Sequence, residues 1–146
     1  MSNELQIVGF RVGPETYGVP IAAVQEILRP MPITAVPGAP PQVEGVVNLR
    51  GRIVSVVDLR KRCGAAPTTD ARKNRIVVAE VEGRRVGMVV DSASEVLRIA
   101  ESCIEPPSTV FGDSPASYVT GVAKLPGRLV ILVDIAKMLQ GPEVTA

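Results

Sequence analysis

The chain repeats itself, so it must adopt a fold that can be built twice from one pattern. Residues 44–61 (EGVVNLRGRIVSVVDLRK) match 120–137 (TGVAKLPGRLVILVDIAK) at an offset of 76. Gly45/Gly121, Val46/Val122, Leu49/Leu125, Gly51/Gly127, Arg52/Arg128, Val54/Val130, Val57/Val133, Asp58/Asp134 and Lys61/Lys137 are identical pairs. An earlier pairing sets 7–29 against 76–98 at an offset of 69. It aligns Ile7/Ile76, Val8/Val77, Val12/Val81, Gly18/Gly87, Glu26/Glu95, Leu28/Leu97 and Arg29/Arg98. Two matches in the same order argue for duplication. The expected organisation is one domain over 1–146, with lobe one about 5–62, lobe two about 74–139, a polar connection near 65–73 and a tail over 140–146. Each lobe is too small to hold a core alone, so the two are expected to share one.

The repeated unit reads as β-structure. Val and Ile dominate the apolar residues, with two Phe, two Tyr and no Trp; branched side chains fit a pleated, half-buried surface. Each lobe opens with a hairpin: 5–12 and 17–21 about Gly13-Pro14-Glu15, then 75–81 and 86–90 about Glu82-Gly83-Arg84. A second hairpin follows, 45–49 and 53–59 about Arg50-Gly51, and its copy turns at Pro126-Gly127. Ile21, Val24, Ile27 and Leu28 share a face at helical spacing, which predicts a short helix over 22–28 that Pro30 and Pro32 stop. Ser92-Ala93-Ser94-Glu95 reads as a capping box at the equivalent helix. The proline-rich stretch 31–42 is expected to be an ordered, extended loop. Five or so strands per lobe with tight turns predict a mainly β fold of two small barrels packed side by side.

Chemistry is sparse. The chain has no His, which removes the commonest general base and metal ligand. Two distant cysteines, Cys63 and Cys103, make neither a triad nor a conventional zinc site, and free thiols are expected. No phosphate-binding glycine motif occurs. Asp58, Asp91 and Asp134 end or follow apolar strands; the duplicated placement of Asp58 and Asp134 favours turn capping over a hydrolytic carboxylate pair. The net charge of +1 provides no footprint for nucleic acid. The local basic stretch Arg50, Arg52, Arg60, Lys61 and Arg62 reads as a solvated face. Neither a signal peptide nor an apolar run of membrane-spanning length is visible. The lobes differ where Arg50 stands against Pro126: an arginine at a hairpin tip can offer its donors to a carboxylate or to carbonyls. Glu26 and Glu95, each beside an apolar position, suit either a partner contact or an internal ion pair; the internal pair is favoured for Glu95.

The runs YGVPIAAVQEI (17–27) and VEGVVNLRGRIVSVVDLR (43–60), with VGMVVDSASEVLRI (86–99) and VTGVAKLPGRLVILVDI (119–135), resemble the CheW-like domain over about 5–139. The resemblance implies two intertwined five-stranded, SH3-like β-barrels with short helices. It also implies a non-catalytic adaptor without cofactor or metal, joining the cytoplasmic tip of a chemoreceptor to the regulatory domain of a CheA-type histidine kinase. By the same resemblance Arg50, with Asn48 and Leu49 of the same NLRG turn, Gly45 at the start of that strand, and Val24 and Glu26 are the partner-binding residues. The expected protein is cytoplasmic, recruited to membrane-associated receptor arrays, a monomer on its own, and neither inserts into a membrane nor binds nucleic acid. It carries no kinase domain, and its short tail leaves no room for the receiver domain of a CheV-type protein. Alternatives are a CheW-like adaptor of a pathway controlling pili, development or second messengers, and, from another class, a small-ligand-binding barrel or a His-independent hydrolase.

Overall fold

A computed structural model of the chain describes residues 3–39, 43–62, 71–107 and 118–140. Eleven strands occur among them: β1 (Glu4–Val12), β2 (Glu15–Pro20), β3 (Val24–Leu28), β4 (Val43–Leu49), β5 (Arg52–Asp58), β6 (Arg75–Val81), β7 (Arg84–Val90), β8 (Ser92–Ala100), β9 (Ile104–Glu105), β10 (Val119–Leu125) and β11 (Arg128–Val133). Two short helices follow the second hairpins, α1 (Leu59–Arg62) and α2 (Ile135–Gln140). One sheet runs β8-β1-β2-β11-β10-β9 and the other β3-β6-β7-β5-β4.

The two sequence halves are not the two sheets. The opening hairpin of each half, β1-β2 or β6-β7, lies in the sheet made by the other half. With that exchange the sheets have the same order, and the isolated Thr34–Val46 bridge stands where β9 pairs β10. The exchange is made at two parallel contacts. Val56 pairs Gly87 and Leu132 pairs Gly18, one register seen twice at the repeat offsets. A Cβ on Gly18 would sit 2.5 Å from Ile7 Cγ2, and one on Gly87 would sit 2.9 Å from Ile76 Cγ2. The matched glycines therefore exist to let matched isoleucines cross them.

Strand alternation divides the core into three clusters. Ile76, Val78, Val54, Val56, Val47, Leu49 and Val89 fill one sheet's interior. Ile7, Ile99, Ala123, Val130 and Leu132 fill the other's. The opposite faces of the same strands meet between the sheets: Val8, Phe10 and Val12 of β1, Val77 and Ala79 of β6, and Met88 and Val90 of β7, with Leu59, Ile135 and Met138 from the helices. Strands buried on both faces read as continuous apolar runs, as in Ile76–Ala79. Neither half can bury this shared face alone, so the exchange fastens the lobes together.

Two expected elements are corrected. Residues 22–28 are not a helix: Ile21–Ala23 forms one 3₁₀ turn, and β3 then pairs β6, Glu26 with Val78 and Leu28 with Ile76. Ser92–Glu95 does not begin a helix: that segment opens β8, which pairs β1 from Arg11 to Glu4. The apolar spacing fits either period over so few residues. A seven-residue helix gains little on its own, whereas each segment here completes the ladder of an unpaired strand edge. Cys103 is a free, half-buried thiol beside the second lobe's core; Cys63, most of the 65–73 connection and residues 40–42 lie outside the described residues.

Candidate functional site

The second hairpin of lobe one builds the site. Leu49 pairs Arg52, leaving a two-residue turn in which Arg50 has φ 53° and Gly51 φ 85°. Positive φ at both positions is the type I′ geometry that matches strand twist. Arg50 is thus a non-glycine residue in the left-handed region, and its counterpart Pro126 cannot adopt that φ. Asn48 holds the turn: its Oδ1 accepts a hydrogen bond from Gly51 N at 2.8 Å.

Arg50 reaches back to β3, where its Nη2 donates to Glu26 Oε2. That hydrogen bond holds the Glu26 carboxyl below the usual carboxylate range against an opposing desolvation, and the charges of Arg50 and Arg85 add to it. The Arg50 guanidinium is raised by the same bond and by the carboxylate's charge. The Arg50 side chain remains 66% exposed and that of Glu26 27%. The pair is therefore internal and yet presented: a partner can meet the guanidinium without breaking it.

The other expected residues turn inward. Leu49 is buried in the first lobe's core. Val24 is half-buried against the shared cluster. Gly45 sits at a bulge with φ 150°, where a Cβ would lie 2.2 Å from the Thr34 carbonyl oxygen, so its position is imposed by packing. The Glu95 side chain lies outside what is described. Sequence reasoning missed Ile53, directly across from Asn48 and 69% exposed, the most exposed large apolar residue described. A groove of about 330 Å³ at Ile53 is lined also by Gln25, Arg52, Glu80 and Arg85. Alternation could have found it, since Val54 and Val56 face inward and place Ile53 outward. The tip thus presents an apolar knob beside Arg52 and Arg85, with the ion-paired Arg50 on the adjoining turn.

Of the basic stretch, Arg50, Arg52 and Lys61 are solvated as expected, but Arg60 is not. Arg60 is almost fully buried: its Nε donates to Asp58 Oδ1 and Nη2 to Asp58 Oδ2, both at 2.9 Å, while Nη1 lies 3.4 Å from Asp91 Oδ1. Asp91 Oδ2 accepts the amide of Gly13 from the other sheet's first turn, at 2.7 Å. Buried carboxylates demand such partners. The hydrogen bonds to Asp58 raise the Arg60 guanidinium, burial opposes them, and Asp91 adds to the rise. Asp58 and Asp134 do cap turns, accepting the amides of Arg60 and Lys137. Lys61 pairs with Glu44. Among the described residues no cluster of His, Cys, Asp and Glu could hold a metal ion, and no helix is long and apolar enough to cross a membrane.

Two interlocked sheets with an ion-paired, exposed turn define a two-lobed β scaffold whose prominent features are surfaces. Residues 6–143 match the family model of the CheW-like domain, and the chain belongs to that family. It is 35% identical over 138 residues to the chemotaxis protein CheW of Rhizobium meliloti (strain 1021), covering 94% of this chain and 89% of the relative. It is 36% identical over 134 residues to that of Klebsiella aerogenes, covering 92% and 81%. The crystal structure of the scaffolding protein TtCheW from Thermoanaerobacter tengcongensis superposes with a TM-score of 0.85 at 33% identity, covering 99% of this chain and 98% of that one. The mainly β, two-lobed fold expected from the sequence is the fold found.

Proposed function

We propose that the chain is a chemotaxis coupling adaptor that binds the regulatory domain of a CheA-type histidine kinase and the cytoplasmic tip of a chemoreceptor, and catalyses nothing. Family membership along nearly the whole chain supports the adaptor role. The observation that carries the contact surface is the lobe-one tip, where one hairpin carries both the exposed Ile53 and the exposed guanidinium of Arg50. An apolar knob beside arginines suits a partner surface with an apolar socket and an acidic rim. Glu26, Asn48 and Arg50 serve as direct contacts, while Val24, Gly45 and Leu49 set the backbone beneath them. The adaptor works as a single unit in the cytoplasm, reaching the membrane only through its receptor.

Capture of a purified CheA-type kinase and of a receptor-tip fragment on the immobilised protein tests this. Binding of both is expected. Failure to bind either, with the protein folded, overturns the proposal.

A further inference from the structure

The duplication allows each site in one lobe to be compared with its twin. The buried Arg60 site is made by Asp58 and Arg60 of one half, with Asp91 and the β1-β2 turn at Arg11 and Gly13. At the repeat offsets the twins are Asp134, Ala136, Ala22, Glu80 and Glu82. Asp134 keeps the carboxylate at the end of the strand and caps α2 through Oδ1, as Asp58 caps α1. The arginine is missing, replaced by alanine. Where its twin would stand there is an open groove of about 420 Å³, and Asp134, Ala136, Glu80 and Glu82 all line it.

The groove is largely apolar, walled by Leu5, Pro20, Val81 and Ile135, with the three carboxylates as its charge. Long basic side chains bury an apolar stem and carry the cation at its end, which matches this lining. Asp134 Oδ2 accepts no hydrogen bond among the described residues, whereas Asp58 Oδ2 accepts from Arg60. The carboxylates do not converge closely enough for a metal ion, and a guanidinium can span them with its fork of donors. Gln25 Nε2 donates to Glu80 without neutralising it.

We infer that this groove is a docking slot for an arginine side chain of a partner protein, occupied from outside as its twin is occupied from within by Arg60. Glu80 also lines the groove at Ile53, but Glu26, Asn48, Arg50 and Ile53 do not line this one. The inference stands whether or not the kinase and receptor assignments hold, since its readout uses neither.

The test is titration of the isotopically labelled full chain with acetyl-arginine amide and with acetyl-citrulline amide, its uncharged isostere, followed by amide chemical shifts. Saturable shifts at Glu82, Asp134 and Ala136 are expected with the arginine probe, and binding about threefold weaker or more with citrulline, the discrimination of a part-exposed ion pair. Asp134→Asn keeps a capping oxygen and loses the charge, so it should abolish that discrimination. Ala136→Arg recreates the twin's side chain and should close the slot to the probe. Equal response to citrulline, persistence of discrimination in Asp134→Asn, or no saturable shift overturns the inference. Shifts that appear on concentrating the protein alone would make the occupant a second copy and overturn the assignment to a partner.

Discussion

Glu26 and Arg50 join the two ends of one sheet: Glu26 lies on β3 and Arg50 on the turn leaving β4, the outermost strands in the order β3-β6-β7-β5-β4. An exposed strand edge is open to unwanted pairing. Here a charge pair crosses the gap between the edges while backbone pairing does not. The second lobe has no arginine with which to repeat it, since Pro126 stands in place of Arg50; it carries instead an ion pair between Lys124 of β10 and Glu105 of β9. The same contact that fits the sheet together also sets the pose of the exposed guanidinium.

The coupling between these two residues should therefore depend on pH in one direction. The folded-state carboxyl of Glu26 is lowered, so its contribution is present above the ordinary carboxylate range and is lost as pH falls through the lowered value. The raised Arg50 adds no transition below its already high ordinary value. A double-mutant cycle of Glu26→Gln and Arg50→Gln should show coupling at about pH 7 and none at about pH 2. Coupling that persists in acid would mean the pair is not ionic.

Arg50→Ala should separate posture from stability. The lost pair is exposed, so the melting temperature should stay within about 3 °C of the parent, while capture of the kinase or the receptor fragment weakens. A much larger drop in melting temperature would make Arg50 a structural residue and remove it from the contact surface.

Gly45→Ala should do the reverse. A Cβ there meets the Thr34 carbonyl oxygen at 2.2 Å on a backbone at φ 150°, so the bulge must shift. A loss of about 2 kcal/mol or more is expected in urea denaturation, with any binding defect following the loss of folded protein. A fully stable variant that fails to bind would instead make Gly45 a contact.

The repeat, the hairpins, both turn positions and the difference between Arg50 and Pro126 at matched turns were legible in local sequence, because turn chemistry and period-2 burial are local properties. The exchange of hairpins was not: Gly18 and Gly87 look like ordinary strand glycines until Ile7 and Ile76 are seen crossing them. Residues 22–28 misled because their apolar spacing fits both periods, and only the free edge of β6 decides between them. Arg60 misled because a charged residue in a charged run is usually solvated, and its partner Asp91 is supplied from another element.

Ile53→Ser should leave stability within about 0.5 kcal/mol of the parent, since an exposed side chain away from the core gains little by folding. Its exposed twin Leu129 provides an internal control. If the lobe-one tip is the contact, Ile53→Ser weakens partner capture and Leu129→Ser does not; equal effects would place the contact on a feature common to both lobes.

Removing Arg60 should be the costliest of these charge changes. Arg60→Met leaves Asp58 and Asp91 buried beside one another without their shared cation, and breaking a buried pair in this way costs about 3–5 kcal/mol. Asp58→Asn with Asp91→Asn in the Arg60→Met background should recover part of the loss, because neutral amides are cheaper to bury than carboxylates. The raised guanidinium sets the pH behaviour of its side of the network: a group whose pKa rises on folding contributes in full below its unfolded value. That contribution should accordingly be flat from neutral pH to about pH 10, well below the ordinary arginine range. Urea denaturation of parent, single and triple variants at both pH values measures it. A single variant as stable as the parent would show that the two lobes are held by their apolar interface alone, with the Arg60 network contributing nothing to their attachment.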